Sequence, residues 1–156
     1  MTSENAETQN LLAQFLASWT AGSAEPRSGV PEAELTKFEE RHCVRLPVEF
    51  KTYLRRANGM QQDDMDSERL IRFYGIDEIL RAPNGDVHGG DHAAYFVFAD
   101  FMIGSHEYAI ALVGPHYGEI AIVDDTGPPR PVANSFVDFM TKYVHSPDVL
   151  SRGRPR

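Results

Sequence analysis

Cysteine is almost absent from this chain, which has only Cys43 among its 156 residues. A lone cysteine cannot form an internal disulfide, and this is typical of proteins from a reducing compartment. No hydrophobic run reaches the length that a bilayer crossing requires, and the acidic, polar N-terminus is unlike a signal peptide. These absences predict a cytoplasmic protein without a membrane partner.

Basic residues are too few for a nucleic-acid-binding surface. The chain has 15 Lys and Arg against 23 Asp and Glu, which gives a formal net charge of -8. A protein that holds a phosphate backbone needs a concentrated basic surface that releases counterions. The charge therefore argues against a nucleic-acid partner. Its first interpretation is solubility, and attraction to a basic protein comes second.

Motifs for catalysis and cofactor binding are also missing. The chain has no G-x-S-x-G elbow, no phosphate-binding loop and no paired CxxC. One loop holds four potential metal ligands: Asp86, His88, Asp91 and His92. Two histidines four residues apart share a face only on a helix, and Gly89-Gly90 argues against a helix there. His88 and His92 are thus weak metal candidates, a small metal-dependent hydrolase is the enzymatic alternative, and the prediction is a non-enzyme without cofactors.

The strongest pattern lies between Gly29 and Met60, where two short amphipathic helices are predicted. Pro31 followed by two glutamates is typical of a helix start, and Pro47 starts a second helix. The second helix has an apolar stripe at i, i+3, i+4 and i+7, formed by Phe50, Tyr53, Leu54 and Ala57. Gly59 is predicted to close it in a left-handed conformation. Cys43, at the end of the first helix, is interpreted as a packing residue because a helix C-terminus does not activate a thiol.

Three dipeptides in this stretch resemble the SUKH superfamily, in its SMI/KNR branch. They are Phe38-Glu39, Leu46-Pro47 and Asn58-Gly59. The predicted strands 96–101 and 108–112 and the helix 135–143 are similar to the family's central strands and closing helix. The resemblance covers roughly residues 29–145 and implies an α+β binding fold with no known catalytic residues.

The same resemblance implies a protein-binding function. Bacterial members of the superfamily are mostly immunity proteins that neutralise polymorphic toxins, and the fungal relative regulates cell-wall assembly as an interaction hub. We therefore expect an immunity protein with a cognate toxin as its partner. A regulatory scaffold is the non-enzymatic alternative.

The downstream half predicts a twisted antiparallel sheet covered by helices. Residues 96–101 are apolar on both faces, which is typical of a strand covered on two sides. Residues 108–113 alternate large and small side chains, and residues 119–123 pair back through a hairpin. Residues 70–74 predict a short strand, 76–81 a brief helix or a second strand, and 127–131 an extended connector. A final helix is predicted with Asn134 or Ser135 as its N-cap.

Before the helical pair, residues 4–20 predict an amphipathic helix with Leu11, Leu12, Phe15, Leu16 and Trp19 on one stripe. This stripe either packs on the domain or on a second copy, which is the favoured interpretation, or recognises another protein. A Gly-, Ser- and Pro-rich linker at 21–29 is expected to let the helix sit apart. The predicted organisation is a helix and linker at 1–28, an SMI/KNR-like domain at 29–150 and a basic, disordered tail at 151–156.

Acidic side chains are the candidate partner-binding residues. They are Asp63, Asp64, Asp66 and Glu68, in a run that is predicted to be extended and solvated, and Asp124 and Asp125 at a strand end. Such residues either face the basic surface of a partner or simply form solvated loops and turns. Asp100, at another strand end, could join them at one edge of the sheet.

Overall fold

The computed structural model describes residues 3–82, 94–124 and 127–151. The helices in this part of the chain are α1 (Ser3–Ala21), α2 (Glu32–His42), α3 (Val48–Arg56), α4 (Phe136–His145) and a short 3-10 helix (Pro147–Ser151). The strands are β1 (Ile71–Phe73), β2 (Leu80–Arg81), β3 (Ala94–Phe101), β4 (His106–Val113), β5 (Ile120–Val123) and β6 (Arg130–Ala133). Within the described ranges no helix has the length and apolarity that a membrane crossing needs. The α+β class and the antiparallel sheet are confirmed.

The six described strands form one antiparallel sheet in the order β1-β3-β4-β5-β6. The short strand β2 also pairs with β3, so β1 and β2 follow one another along the same edge of β3. The predicted strands at 70–74, 96–101, 108–112 and 119–123 are confirmed, and residues 76–81 supply a strand rather than a helix. The last strand, β6, lies where the sequence predicted a connector. It pairs with β5 alone among the described strands, and such an edge strand tolerates the missing N–H of Pro131.

The two faces of the sheet differ as the alternation in β4 predicts. Its large side chains, Tyr108, Ile110 and Leu112, belong to the core that the helices cover. Its small ones, Ala109 and Ala111, belong to a second buried cluster on the other face. Small side chains on one face and large ones on the other are therefore both buried.

Helix α1 packs on the rest of the domain. Leu12, Phe15 and Trp19 have no exposed surface, and the Phe15 ring lies 4.9 Å from that of Tyr143 on α4. The favoured interpretation is confirmed for this chain, and the stripe is not free to recognise another protein. The prediction that the linker at 21–29 lets α1 sit apart from the domain is wrong. Gly22 in this linker is buried, and a Cβ on it would collide with the Asp66 carboxylate.

Both predicted helices of the 29–60 stretch form, with Pro31 and Pro47 as their N-caps. Helix α2 ends at Cys43, which takes a left-handed conformation at φ 54° and leaves its side chain exposed. The packing role predicted for Cys43 is wrong. The reason is that its backbone ends the helix while its side chain points away from the core.

Helix α4 begins as the capping pattern predicts. The Ser135 hydroxyl accepts from the Asp138 N–H at 3.0 Å, and the Asp138 carboxylate accepts from the Asn134 N–H at 3.0 Å. Its buried stripe, Phe136, Phe139, Met140 and Tyr143, faces the sheet. The helix thereby completes the core between the sheet and α1.

Candidate protein-binding surface

The acidic segment Gln61 to Glu68 lies along the outer edge of β1. At its start the Met60 N–H donates to the Phe73 carbonyl at 2.9 Å. Near its end the Asp66 N–H donates to the Ile71 carbonyl at 3.0 Å. These bonds hold the segment against the sheet and cover the polar edge of β1.

The exposed carboxylates of this segment are those of Asp63 and Glu68. Asp64 is half-buried, and its carboxylate accepts from the Glu25 N–H at 2.9 Å. A Glu68 oxygen lies 3.7 Å from the Arg69 guanidinium. Asp63 and Glu68 are thus placed where a partner can reach them, and Asp64 partly serves the fold.

Asp66 has no exposed surface, so the prediction of a solvated carboxylate is wrong at this position. Its oxygens accept from the Glu68 N–H at 2.9 Å, the Arg69 N–H at 3.3 Å and the Arg69 guanidinium at 3.2 Å. The Tyr143 hydroxyl donates to it in a short hydrogen bond. A buried carboxylate is stable when it is paired and hydrogen-bonded in this way, and Asp66 is unavailable to a partner.

Arg69 and Tyr143 complete this buried group, which we call the Asp66 cluster. The guanidinium lies 4.8 Å from the Tyr143 ring centroid, and its Nε donates to the Tyr143 carbonyl at 2.8 Å. Burial, together with the bond to Asp66, raises the pKa of Tyr143, which keeps its hydroxyl a donor at neutral pH. The cluster fastens the acidic segment to the C-terminal end of α4.

Further carboxylates surround the exposed part of the segment and form what we call the acidic edge. It consists of Asp63 and Asp64 with Glu25, whose N–H binds Asp64, and of Asp77 and Glu78, which pair with Arg27 and Arg72. Arg72 binds Glu78 at 3.0 Å and the Gln61 carbonyl at 3.4 Å. Arg27 binds Asp77 at 3.2 Å. Five carboxylates against two guanidiniums leave this edge negative.

Sequence reasoning missed Glu25, Asp77 and Glu78 because they are far from the acidic run in the chain. No local pattern joins them, and only the pairing of β1 with its neighbours brings them together. Asp100, near the end of β3, accepts from the Tyr74 hydroxyl at 2.8 Å.

Asp124 lies at the end of β5, on the other side of the sheet from the acidic edge. It is half-buried and pairs with Arg130 at 3.0 Å. Strands β3 and β4 separate it from β1, which at the usual strand spacing is roughly 14 Å. The two predicted groups of carboxylates therefore do not merge into one site, and Asp125 lies outside the described residues.

Between these two groups lies a turn that sequence reasoning also missed. Residues 102–105 connect β3 to β4, and Met102 and Ile103 expose 50% and 87% of their surface. The Met102 N–H donates to the Leu70 carbonyl at 2.8 Å, which places the turn beside the end of the acidic segment. The signal in the sequence is two large apolar residues at a position where Asn or Gly is usual.

The six residues of the family resemblance have structural roles in the fold. The Glu39 carboxylate accepts from the Leu46 N–H at 2.8 Å and binds Lys51 at 3.2 Å, which holds α2 against α3. Phe38 packs on the Phe96 ring at 5.9 Å, and Pro47 caps α3.

Asn58 and Gly59 then join this helical pair to the sheet. The Asn58 side chain accepts from the Ile76 N–H at 2.6 Å. Gly59 has φ 65°, and a Cβ there would collide with the Tyr74 backbone. Its left-handed conformation is as predicted, but Gly59 is the third residue after the end of α3 at Arg56, and it serves this close approach rather than the helix end itself.

Metal ligation finds no support in the described ranges. They contain no group of three His, Cys, Asp or Glu side chains arranged for a metal ion. The weak candidates His88 and His92 lie outside the described residues. An open groove of about 580 Å³ lined by Glu39, Glu40 and Cys43 lies beside the α2–α3 connection, where Glu39 is already engaged by Leu46 and Lys51.

Comparison with known families gives one match. The model of a family described as SMI1 / KNR4 family (SUKH-1) matches residues 29–142. These residues run from the approach to α2 through most of α4, so the match takes in the helical pair and the whole described sheet. No curated protein matches the chain.

Proposed function

Because the chain belongs to the SMI1 / KNR4 family (SUKH-1), we propose that it is a non-enzymatic protein-binding domain of the immunity type, acting in the cytoplasm on a cognate bacterial toxin. The family match carries this proposal, since the family is generally non-enzymatic. Two of the buried or half-buried carboxylates, Asp66 and Glu39, are engaged in holding the fold, which is consistent with a binding domain.

The charge of the described surface supports a basic partner. The acidic edge presents more carboxylates than guanidiniums, and the whole chain carries -8. Opposite charges across an interface speed association and discriminate against wrong partners, even where they add little affinity. Asp63 is a suitable test residue, because it is exposed and belongs to the acidic run.

Two other functions lack such support. A regulatory scaffold that docks through its N-terminal helix would need the stripe that α1 buries in the core. A hydrolase would rest on His88 and His92, which lie outside the described residues. Neither is proposed.

Growth rescue tests the proposal. The protein encoded beside this chain's gene is expressed in bacteria with the chain, with a scrambled-sequence control, or alone. We expect arrest in the latter two, growth with the chain, and a stable complex of the two purified proteins. A neighbouring product that is harmless, or a toxin whose effect the chain leaves unchanged, would overturn the immunity function.

A further inference from the structure

The turn between β3 and β4 holds large side chains in a backbone conformation that disfavours them. Met102, Ile103 and Gly104 have φ values of 49°, 55° and 88°. The left-handed region suits glycine and, to a lesser degree, asparagine, because a Cβ approaches the following carbonyl there. A β-branched residue such as Ile103 is an outlier in it. The fold accepts strain at this turn.

Burial does not offset this strain. Ile103 exposes 87% of its surface and Met102 exposes 50%, so the chain gains little from their apolar surface. Asn-Gly would form such a connection at lower cost. Strained backbone that local stability does not explain is a mark of functional sites.

The turn is also held in a fixed position. The Met102 N–H donates to Leu70 at 2.8 Å, and the Ser105 N–H donates to the Phe101 carbonyl at 2.9 Å. The Ser105 hydroxyl donates to the Met102 carbonyl at 3.3 Å. Leu70 is itself left-handed at φ 64° and follows directly on the Asp66 cluster. A rigid apolar tip loses little conformational entropy on binding, which is what an interface anchor requires.

Paired carboxylates lie near both sides of the tip. Glu68 is two residues from Leu70, whose carbonyl binds the turn, and it lies 3.7 Å from the Arg69 guanidinium. Because Arg69 also binds the buried Asp66, these two carboxylates share one cation and this side of the tip keeps an excess of negative charge. On the other side, Asp124 follows Val123, which pairs with Glu107 on β4 close to the turn, and its charge is matched by Arg130 at 3.0 Å.

We infer that the Met102–Ile103 turn is the anchor by which this domain docks into an apolar pocket with a basic rim on its protein partner. The inference rests on the proposed binding function and names the contact that performs it. Because the tip protrudes, its complement is a pocket rather than another flat surface. The excess carboxylate beside Arg69 and the net charge of -8 disfavour a second copy of this chain or an anionic membrane as the occupant.

Site-specific crosslinking identifies the contact in cells. The photoreactive residue benzoylphenylalanine replaces Ser105, next to the anchor, and in a matched control it replaces Val48, which is 75% exposed on α3. We expect a protein adduct from position 105 that disappears when Ile103→Asn is added, and none from position 48. No adduct at 105, equal adducts at both positions, or an adduct with the mass of two copies of this chain would overturn the inference.

The thermal stability of the variants and their affinity for the captured partner complete the test. Asn adopts the left-handed conformation more readily, so Ile103→Asn should raise Tm by about 2–4 °C. The same variant should bind the purified partner at least ~10-fold more weakly, while Val48→Asn binds as the wild type does. A lower Tm, or wild-type affinity in Ile103→Asn, would contradict the inference.

The outcome is separable from that of the proposed function. If Ile103→Asn releases a captured protein that is not a toxin, the anchor stands and the immunity function falls. If Ile103→Asn still neutralises the toxin with full affinity, the anchor falls and the immunity function stands.

Discussion

The two neighbouring hairpins of the sheet, β3–β4 and β4–β5, differ in the residues that take left-handed conformations in their turns. The β4–β5 turn places glycine at its left-handed positions, Gly114 at φ 104° and Gly118 at φ 89°. The β3–β4 turn places Met102 and Ile103 there, ahead of Gly104. Both join adjacent antiparallel strands. The comparison teaches that this sheet fills left-handed positions with glycine at one hairpin and with large apolar residues at the other, although the connections differ in length, 114–119 against 102–105.

The surroundings of the two turns differ as well. At the β4–β5 turn the Tyr117 hydroxyl donates to the Arg45 carbonyl at 2.6 Å, which ties the turn to the α2–α3 connection. The β3–β4 turn is instead bonded to Leu70, next to the Asp66 cluster. One turn is relaxed and tied to a helical pair, and the other is strained and supported by a buried ionic group.

The largest expected effect comes from removing that support. Asp66→Ala removes the acceptor of the Tyr143 hydroxyl and of two backbone N–H groups, and it removes the nearest carboxylate from the Arg69 charge. Breaking one side of a buried pair costs about 3–5 kcal/mol of unfolding free energy. Chemical denaturation measures the loss. Asp63→Ala, at an exposed carboxylate of the same segment, should stay within about 0.5 kcal/mol, and equal losses in both variants would show that the cluster does not support the fold.

Substitutions in the two turns should have opposite signs. A Cβ on Gly118 meets no neighbour within 4 Å. Gly118→Ala should therefore lower the unfolding free energy only by the cost of a left-handed alanine backbone, about 1–2 kcal/mol. Ile103→Asn relieves that cost at the strained turn and should add up to about 1 kcal/mol to the unfolding free energy. Gly118→Asn is the matched control and should lose less than Gly118→Ala. Destabilisation by Ile103→Asn would break the contrast between the turns.

The hydrogen bond from Tyr117 to Arg45 at the β4–β5 turn should contribute less to the unfolding free energy than the Asp66 cluster does. Tyr117→Phe removes one hydrogen bond from a half-exposed hydroxyl, for which we expect a loss of about 0.5–1.5 kcal/mol in unfolding free energy. Thermal unfolding of the variant beside the wild type measures it. A loss as large as that of Asp66→Ala would mean that the two ends of the sheet are held with similar strength.

The smallest effect concerns pH. Burial lowers the pKa of His106 in the folded protein, the Arg130 guanidinium lowers it further and Asp124 partly opposes the shift. An unfolded histidine keeps a pKa near 6.5. As the pH falls through that value, the unfolded chain binds the proton first, so stability decreases toward acid pH. We expect His106→Gln to flatten the stability profile between about pH 5 and 7.

His42 gives the matched comparison for this pH dependence. Burial lowers its pKa too, and its ring packs at a tilt on Phe38 and edge-to-face on Phe96. His42 contacts Phe96 and His106 contacts Phe101, and these two phenylalanines lie near opposite ends of β3. The two histidines should therefore contribute additively to the pH dependence of stability. If the variant with both His42→Gln and His106→Gln had a stability profile no flatter between about pH 5 and 7 than that of His106→Gln alone, this additivity would be wrong.

The elements that the sequence predicts are those with local causes. Pro31 and Pro47 begin helices because proline presets φ, and Ser135 with Asp138 encodes a helix start within four residues. Alternation in β3 and β4 likewise depends on neighbours two residues away. These features require no knowledge of the rest of the chain.

What the sequence does not reveal depends on distant partners. The burial of Asp66 requires Tyr143, 77 residues later in the chain. The acidic edge requires Glu25 and Glu78 to meet the segment after Met60. The left-handed conformation of Ile103 contradicts its intrinsic preference, so propensity would never predict it.

Contact between α1 and α4 sets the order in which this protein can fold. The Phe15 ring at one side of the core meets Phe136 and Tyr143 at the other, across more than a hundred residues of chain. Loops of that length close slowly. On the ribosome, the α1 stripe can meet Tyr53 and Phe73 early, but its contacts with α4 form last. Until α4 has emerged, the uncovered part of the stripe is a site for chaperone capture or aggregation.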